Sequence, residues 1–552
     1  MKPRSATAFT LAAVIVTVFL SAAGSLPLHA GDTGEPPMAP TVGPASLPLD
    51  SAALVHLLDS LIVPGLEKYH IPGMVIAIVR DSAVVLAKGY GYADVERKVP
   101  FDPESTVIRI ASVSKLFTAT AVLQLVERGV LDMHQDINTY LTRFKVAEWP
   151  GKPITLHHLL THTAGFDDRY VGKSAWTQER QIPLGDFLAA RLPARICPPG
   201  EVYTYSNFSN ALAGFVVEEV AHEDFAAYVR GNILEPLGME RSDYRLRPDL
   251  QPLLAQCYSH NGTGYTRNPF DFINDYPGGQ MLSTGKDMAR FMIAHLQLGR
   301  YAGKRILGEQ SATAMHTVQF THHKELEHAA GYGFGILPAR AQTALAHDGG
   351  YTGVGSRLCL LPEGRFGLFM ACNIMDGALI DEVTRTLLDL LIPPPPPDST
   401  KYPLGTLPQY DGDVAEFAGT YRYSRYVHQS FEKTGVLLGM SGPEISIGRN
   451  EEGLILMDTF YGKPRRMVQT QPCLFRSVDD RYLCAFRRDA SGRITHLFTN
   501  GTAAFEKISW YETTIFQRGL LGICLLLFGF VSIALPIIQR FRKTRTPVSL
   551  GV

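Results

Sequence analysis

From Gly73 to Val79 the chain reads GMVIAIV, an apolar run too short for a helix, and after the turn RDS a second segment follows, AVVLAKGYGYAD. Runs of this length between turn residues predict two strands joined as a hairpin, preceded by a helix in a domain that begins at about Leu49. The period changes after Ser112. In LFTATAVLQLVERG apolar positions recur at helical spacing, and Gly129 stands where a helix takes its C-terminal cap. Mixed helical and loop segments continue to about His347. Two apolar strands, SRLCLLP and FGLFMACN, then meet at a Pro-Glu-Gly turn, and LIDEVTRTLLDLLI follows as a closing helix. Strands at both ends with helices between predict an α/β sandwich whose sheet joins the two ends of the domain.

Pro393 to Pro397 break this pattern and form a stiff extended linker. From about 410 to 510 the chain changes character. Short alternating segments such as TYRYSRY, EISIG and GLILMD, punctuated by turns, predict a small antiparallel barrel or sheet. One local pairing is testable there: CLFRSVDDRYLC, folded about a turn near Val478 and Asp479, would set Cys473 opposite Cys484, as a disulfide or as two buried thiols.

The two ends carry the other long apolar runs. Lys2 and Arg4 precede an apolar stretch from about Ala8 to Ala23 and a small-residue site after Ala30, which reads as a secretory signal over 1–30, or else as an uncleaved N-terminal anchor. Residues 31–47, rich in Pro, Gly and Ala, form a flexible leader. Gly519 to Ile538 gives a stretch of 20 uncharged residues, enough to cross a hydrocarbon core, and Arg540, Arg542, Lys543 and Arg545 follow directly. That cationic flank places the tail, 539–552, in the cytoplasm and the rest outside it. Net charge is −1 over 552 residues, so no basic field is offered to nucleic acid and no nucleic-acid partner is expected.

Candidate chemistry centres on RIASVSKLFTATAV, where Ser112 and Lys115 sit three residues apart at a helix start. A serine nucleophile needs a base, and a lysine one turn on projects from the same face. It must be neutral to accept a proton, which requires burial and a neighbouring cation. The pair is weak alone, since Ser283/Lys286 and Ser430/Lys433 repeat it. Two later segments supply partners. PPGEVYTYSNFSNALAGFVVEEVA places Tyr205, Ser206 and Asn207 at the mouth of a helix, Tyr205 as a proton relay and Asn207 as a holder of Lys115 and a substrate carbonyl. HDGGYTGVGS follows at His347 to Ser356, its adjacent glycines letting a strand edge approach a ligand.

With Ser-Val-Ser-Lys (112–115), Tyr-Ser-Asn (205–207) and His-Asp-Gly (347–349) in order, the chain resembles the serine β-lactamase and penicillin-binding-protein superfamily, in the class C-like branch that also holds esterases, DD-peptidases and D-amino-acid peptidases. LHHLLTHTAGF, EPLGM and PGGQMLSTGKDMARFM look like that family's framework segments, and the resemblance covers about 49–392. It implies a β-lactamase/transpeptidase-like α/β sandwich over 48–392. It also implies acylation of Ser112, with Lys115 and Tyr205 as coupled base and acid and Asn207 orienting them. The family's oxyanion hole uses backbone N–H groups, here those of Ser112 and Gly350, beside Gly349. No metal or organic cofactor is expected, and the partner is a small ester, amide or peptide substrate.

His347 stands where many members carry a lysine. Histidine is mostly neutral near pH 7 and gives no fixed cation for a substrate carboxylate, so esters, amides and D-peptides are expected ahead of β-lactams. The rivals are a β-lactamase or penicillin-binding DD-peptidase, and a non-turnover sensor on the same fold. EFAGTYRY resembles the lipocalin-like domains appended to these hydrolases, which can flank the active-site mouth. No catalytic cluster is read there. A Lys-Thr-Gly at 433–435 is set aside because it lies past the proline linker, and Ser283/Lys286 because Gly285 makes a poor start to a helix with a buried Lys. His158 and His162, four apart, lack the glutamate of a zinc-peptidase motif, THHKELEH (321–328) reads as a solvated loop or pocket rim, and alternation along a strand sends Asp348 away from His347. The pocket walls are expected from 166–197 and 260–276.

Overall fold

A computed structural model of the chain describes residues 51–326, 328–392, 414–439, 441–449, 454–458, 464–477, 482–499 and 502–543. The expected signal segment, the leader, the proline linker, the 478–479 turn and most of the cytoplasmic tail lie outside them.

The first long elements are helix α1 (Ser51–Lys68) and strands β1 (Gly73–Arg80) and β2 (Ala83–Asp94). The described residues build an eight-stranded antiparallel sheet to which these contribute, together with β3 (Val99–Pro100), β4 (Ala329–Ala330), β5 (Gly335–Ala339), β6 (Gln342–Tyr351), β7 (Val354–Leu361) and β8 (Phe366–Cys372). Its order is β4-β5-β6-β7-β8-β1-β2-β3, so the first strand pairs with the last, Met74 opposite Cys372 and Val79 opposite Gly367. The sheet therefore joins the two ends of the domain.

The unbroken apolar run of β1 follows from burial on both faces. Val75, Ala77 and Val79 face the helical body, where they join Leu116, Phe117, Phe291 and Phe369 in one core. Met74, Ile76 and Ile78 alternate to the other face and pack with Leu58 and Ile62 of α1 and with Leu379 and Val383 of helix α5 (Ala378–Leu391). The helical body includes α2 (Ser114–Glu127), α3 (Asn207–Ala221) and α4 (Gly285–Leu296). Gly129 sits at φ +70° just past α2, the left-handed geometry of a C-terminal cap. Gly285 does begin a helix, but with Lys286 partly exposed and not buried: Thr284 caps α4 by accepting from the Asp287 N–H, and a Cβ at 285 would meet Val75 at 2.7 Å. Close packing on β1, not propensity, decides that residue.

From Gly419–Tyr423 to Ala503–Ile508 the chain forms a closed antiparallel barrel, each strand paired with its neighbour in sequence and the last with the first. Phe417, Tyr421, Phe475, Phe486 and Leu497 fill its interior. The register places Phe475, not Cys473, opposite Cys484, and both cysteines are thiols. A bulge near Gln469–Gln471 leads into this strand pair, and Cys473 takes φ +59° in the turn before it. Helix α6 (Thr514–Lys543) follows; its segment Thr514–Phe541 is long and apolar enough to cross a membrane. Arg518 ties its base to the barrel, donating to the Leu437 carbonyl at 2.7 Å.

Candidate active site

Ser112 lies in a single 3-10 turn, Ala111–Val113, that feeds directly into α2. Ala111 is held at φ +46°, a strained conformation for a side chain with a Cβ and one that persists only where the surroundings enforce it. The enforcement is visible. Ile110 N–H donates to the Met281 carbonyl at 2.9 Å, Met281 N–H donates to Ser114 Oγ at 3.0 Å, and the Ser356 hydroxyl donates to the Ile110 carbonyl at 2.8 Å. On β6, Gly349 passes so close that a Cβ would lie 2.5 Å from the Ile110 oxygen. The glycines of HDGG thus let the strand edge approach the backbone just before Ser112.

Lys115, in the first turn of α2, is fully buried and places Nζ 3.0 Å from Ser112 Oγ. Nζ also donates to the carbonyl of Gly278, in the PGGQ segment. Burial drives the lysine well below its ordinary range. Arg425 and Lys173 push it the same way, against the pull of Asp275 and Asp168. Tyr205 lies with its ring centroid 4.9 Å from Lys115 Nζ. Burial raises its phenol to about 12, opposed by Arg425 and by a hydrogen bond with Ser112.

Asn207 begins α3, but its amide does not hold Lys115 as expected. Oδ1 is buried and makes no hydrogen bond among the described residues, while the Gly278 carbonyl accepts the hydrogen bond that Lys115 Nζ donates. His347 is buried in β6 and its Nδ1 lies 2.8 Å from the Asp348 carbonyl. A carbonyl only accepts, so Nδ1 carries the proton and Nε2 of the neutral ring is an acceptor. Burial first, then the Lys115 charge, lowers this imidazole to about 4. Asp348 forms no dyad with it, pairing across the strands with Arg357 at 2.5 Å.

Ser112, Tyr205, His347, Gly349 and Gly350 line one cavity of about 240 Å³. The expected walls are not its walls. The cavity is lined instead by residues from 329–337 and 375–381 and by Thr502 of the barrel. Segments 174–175 and 272–273 pair with each other, and Asp168, Lys173 and Asp275 act on Lys115 by their charge.

His162 was missed as a site residue. Its Nδ1 accepts from the Ser206 N–H at 3.1 Å and its ring packs 4.4 Å from that of Tyr205, so it supports the phenol, while His158 Nδ1 caps its own helix at Thr155. The framework segment LHHLLTHTAGF was the available signal. In the 321–328 segment, half-buried His322 sits beside the pocket rim: its Nε2 accepts from the N–H of cavity-lining Tyr203 at 3.0 Å, and its ring stacks 3.9 Å from Phe498 of the barrel. Of the decoys, Lys286 pairs with exposed Glu104, and Lys433 lies in a short helical turn of the barrel segment.

An antiparallel sheet joining both ends of the domain, with a Ser-x-x-Lys pair at the start of a buried helix facing a Tyr-x-Asn and a glycine-edged strand, defines the β-lactamase-fold class, whose members are typically serine hydrolases. The Beta-lactamase family model matches residues 58–391, and the chain belongs to that family. It is 28% identical over 326 residues to Protein flp of Staphylococcus aureus strain N315, a match covering 57% of this chain and 62% of that relative, so less than two thirds of Protein flp is spanned. It is 26% identical to the putative penicillin-binding protein PbpX of Bacillus subtilis strain 168, over 57% of this chain and 74% of PbpX. Among solved structures, the octameric penicillin-binding protein homologue from Pyrococcus abyssi shares the fold at TM-score 0.54 and 23% identity, over 82% of this chain and all of that one. EstCE1, a hydrolase with promiscuous acyltransferase activity, matches at TM-score 0.54 and 20% identity, over 62% of this chain and 99% of its own.

Proposed function

We propose that this protein is a membrane-anchored, extracytoplasmic serine hydrolase that cleaves small esters, amides or peptides through an acyl-Ser112 intermediate. The observation that carries the reading is Lys115 Nζ, buried and 3.0 Å from Ser112 Oγ in surroundings that disfavour the ammonium. A neutral amine there accepts the Ser112 proton as Oγ attacks the substrate carbonyl. The backbone N–H groups of Ser112 and Gly350 receive the developing oxyanion, and Tyr205 relays the proton to the leaving group. Water then attacks the ester carbonyl, and the returned proton frees Ser112.

Two features support a substrate preference. The unpaired Asn207 Oδ1 suits an amide N–H of the acyl portion. His347, neutral at pH 7, offers an acceptor instead of a fixed cation, which favours esters and D-aminoacyl or cell-wall-derived peptides over β-lactams. The apolar helix from Thr514, with Arg540, Arg542 and Lys543 at its far end, supports a single span with the catalytic body outside the cytoplasm. The barrel is read as a lipocalin-like domain over 410–510 that flanks the mouth.

The test is turnover by detergent-solubilised full-length protein of p-nitrophenyl esters, D-aminoacyl p-nitroanilides and nitrocefin, each with Ser112→Ala alongside. Hydrolysis of esters or D-aminoacyl anilides that vanishes in the variant, with slow nitrocefin turnover, is the expected result. Fast nitrocefin turnover would favour a β-lactamase. Acylation without turnover on every substrate would favour a sensor.

A further inference from the structure

We infer that Arg425, supplied by the barrel, is a positioning residue of the catalytic centre that acts through Tyr205 and Lys115. The inference rests on the acyl-Ser112 reading.

Arg425 follows the first barrel strand, Gly419–Tyr423, in a segment clamped to the catalytic body from both sides. The Asp167 carboxylate accepts the backbone N–H of His428 at 2.9 Å and of Gln429 at 3.0 Å, with His428 Nδ1 at 3.0 Å. In return Glu432, almost fully buried, accepts the N–H of Tyr170 at 2.7 Å and of Val171 at 3.3 Å. Each side therefore places a buried carboxylate on the other's backbone, which sets the loop between them.

That loop delivers the Arg425 guanidinium to 4.6 Å from the Tyr205 ring centroid, with Nε 3.4 Å from Asp168 Oδ2. Lys115 Nζ lies 4.9 Å from the same ring. One phenol thus packs against two cationic groups, one of which cannot lose its proton. Arg425 does not line the cavity, so it reaches the reaction through Tyr205 and not by touching substrate.

A permanent cation here favours the neutral amine of Lys115 and the phenolate of Tyr205, the proton-accepting forms of both. The other charges are shared among the groups. Asp168 and Asp275 oppose the effect on Lys115, Lys173 adds to it, and His162 and His347 lie close enough to sense the lysine. Around Tyr205 stand Asp348 and Tyr423, and around Arg425 stand Asp168, Tyr170, Tyr423 and Tyr205. Loss of Arg425 removes the favourable cation and also leaves Asp168 with more influence on Lys115. Both changes keep the lysine protonated to higher pH.

The experiment is the second-order rate of Ser112 labelling by a fluorophosphonate, measured from pH 5 to 10 on the full chain in detergent, for wild type, Arg425→Ala, Arg425→Lys and Asp168→Asn. Arg425→Ala is expected to move the acid limb up by about one pH unit, a loss of about tenfold on that limb that closes at high pH. Arg425→Lys restores the wild-type limb. Asp168→Asn, which removes an anion from the same cluster, moves it down and gives a second reading should Arg425→Ala fail to fold. An Arg425→Ala profile superposed on wild type overturns the inference alone. So does a loss equal at every pH that lysine does not rescue, or an acid limb in Asp168→Asn that moves up. Wild type that takes no label at any pH overturns the acyl-serine reading, and this inference with it.

Discussion

Gly349→Ala tests whether the close approach of β6 to the nucleophile turn sets the site. A Cβ at this position would lie 2.5 Å from the Ile110 carbonyl oxygen and 3.2 Å from Ala111 Cβ, and closer still to the Ser356 hydroxyl. The hydroxyl can rotate, at the loss of its hydrogen bond to Ile110. The Ile110 carbonyl cannot, because Ile110 is also pinned through its N–H to Met281. Strand and turn must then separate by about 0.5 Å or more to restore contact distance. Overpacking of this kind costs about 1–3 kcal/mol, a drop of a few degrees in Tm. The site loses more. Ser112 lies two residues from the displaced carbonyl and Gly350 is the next residue of the strand, so the proposed nucleophile and the proposed oxyanion donors move apart. A misplacement approaching 1 Å costs about a hundredfold in rate, so fluorophosphonate labelling should slow by about tenfold to a hundredfold while the protein stays folded. Gly231→Ala, where a Cβ would meet nothing within 4 Å, is the control and should change neither quantity much. Labelling of Gly349→Ala within twofold of wild type would refute the reasoning.

Other outcomes can be measured on the same material. Phe117, fully buried and stacked 4.0 Å from Phe291, should cost about 3–5 kcal/mol when replaced by alanine, read as a lower denaturant midpoint with an unchanged m-value. His428 lies between Asp167 and Glu506, and its imidazole is raised to about 9 by them against the opposing effect of burial. Because the folded value exceeds the ordinary 6.5, its stabilisation is complete below about pH 6.5 and lost as pH rises through about 9. The Tm difference between wild type and His428→Gln should therefore shrink between pH 6.5 and 9.5, and a difference constant over that range would contradict the pairing. Cys473 and Cys484 should both be alkylated by iodoacetamide after unfolding without reductant; a mass short of two adducts on those peptides would show a disulfide and a different register.

What could be read ahead of the structure divides by the range of the interactions involved. The paired strands β1 and β8 and the helix after Ser112 were legible because their apolar periods are local. Ser112, Lys115, Tyr205 and His347 were legible as short motifs in order; Ser112, Tyr205 and His347 line one cavity, with Lys115 buried 3.0 Å from the Ser112 hydroxyl. Asn207 was placed correctly at the helix start but given the wrong partner, since a lysine's choice between an amide and the Gly278 carbonyl depends on a loop 163 residues away in sequence. The cavity walls were misplaced because the 329–337 and 375–381 segments reach the site through sheet order, which no local pattern encodes. Arg425 was hidden for the same reason: its neighbour Tyr205 lies 220 residues earlier, across a proline linker that reads as a boundary. Cys473 and Cys484 went wrong by register, which a bulge and a positive-φ turn residue control.

The most direct measurement is mass spectrometry of the detergent-solubilised full chain after exposure to a fluorophosphonate at pH 8, beside Ser112→Ala, with the labelled peptide sequenced. A single adduct on the peptide carrying Ser112, absent from the variant, is the predicted result. An adduct elsewhere, or none on folded protein, would contradict an activated serine at this site.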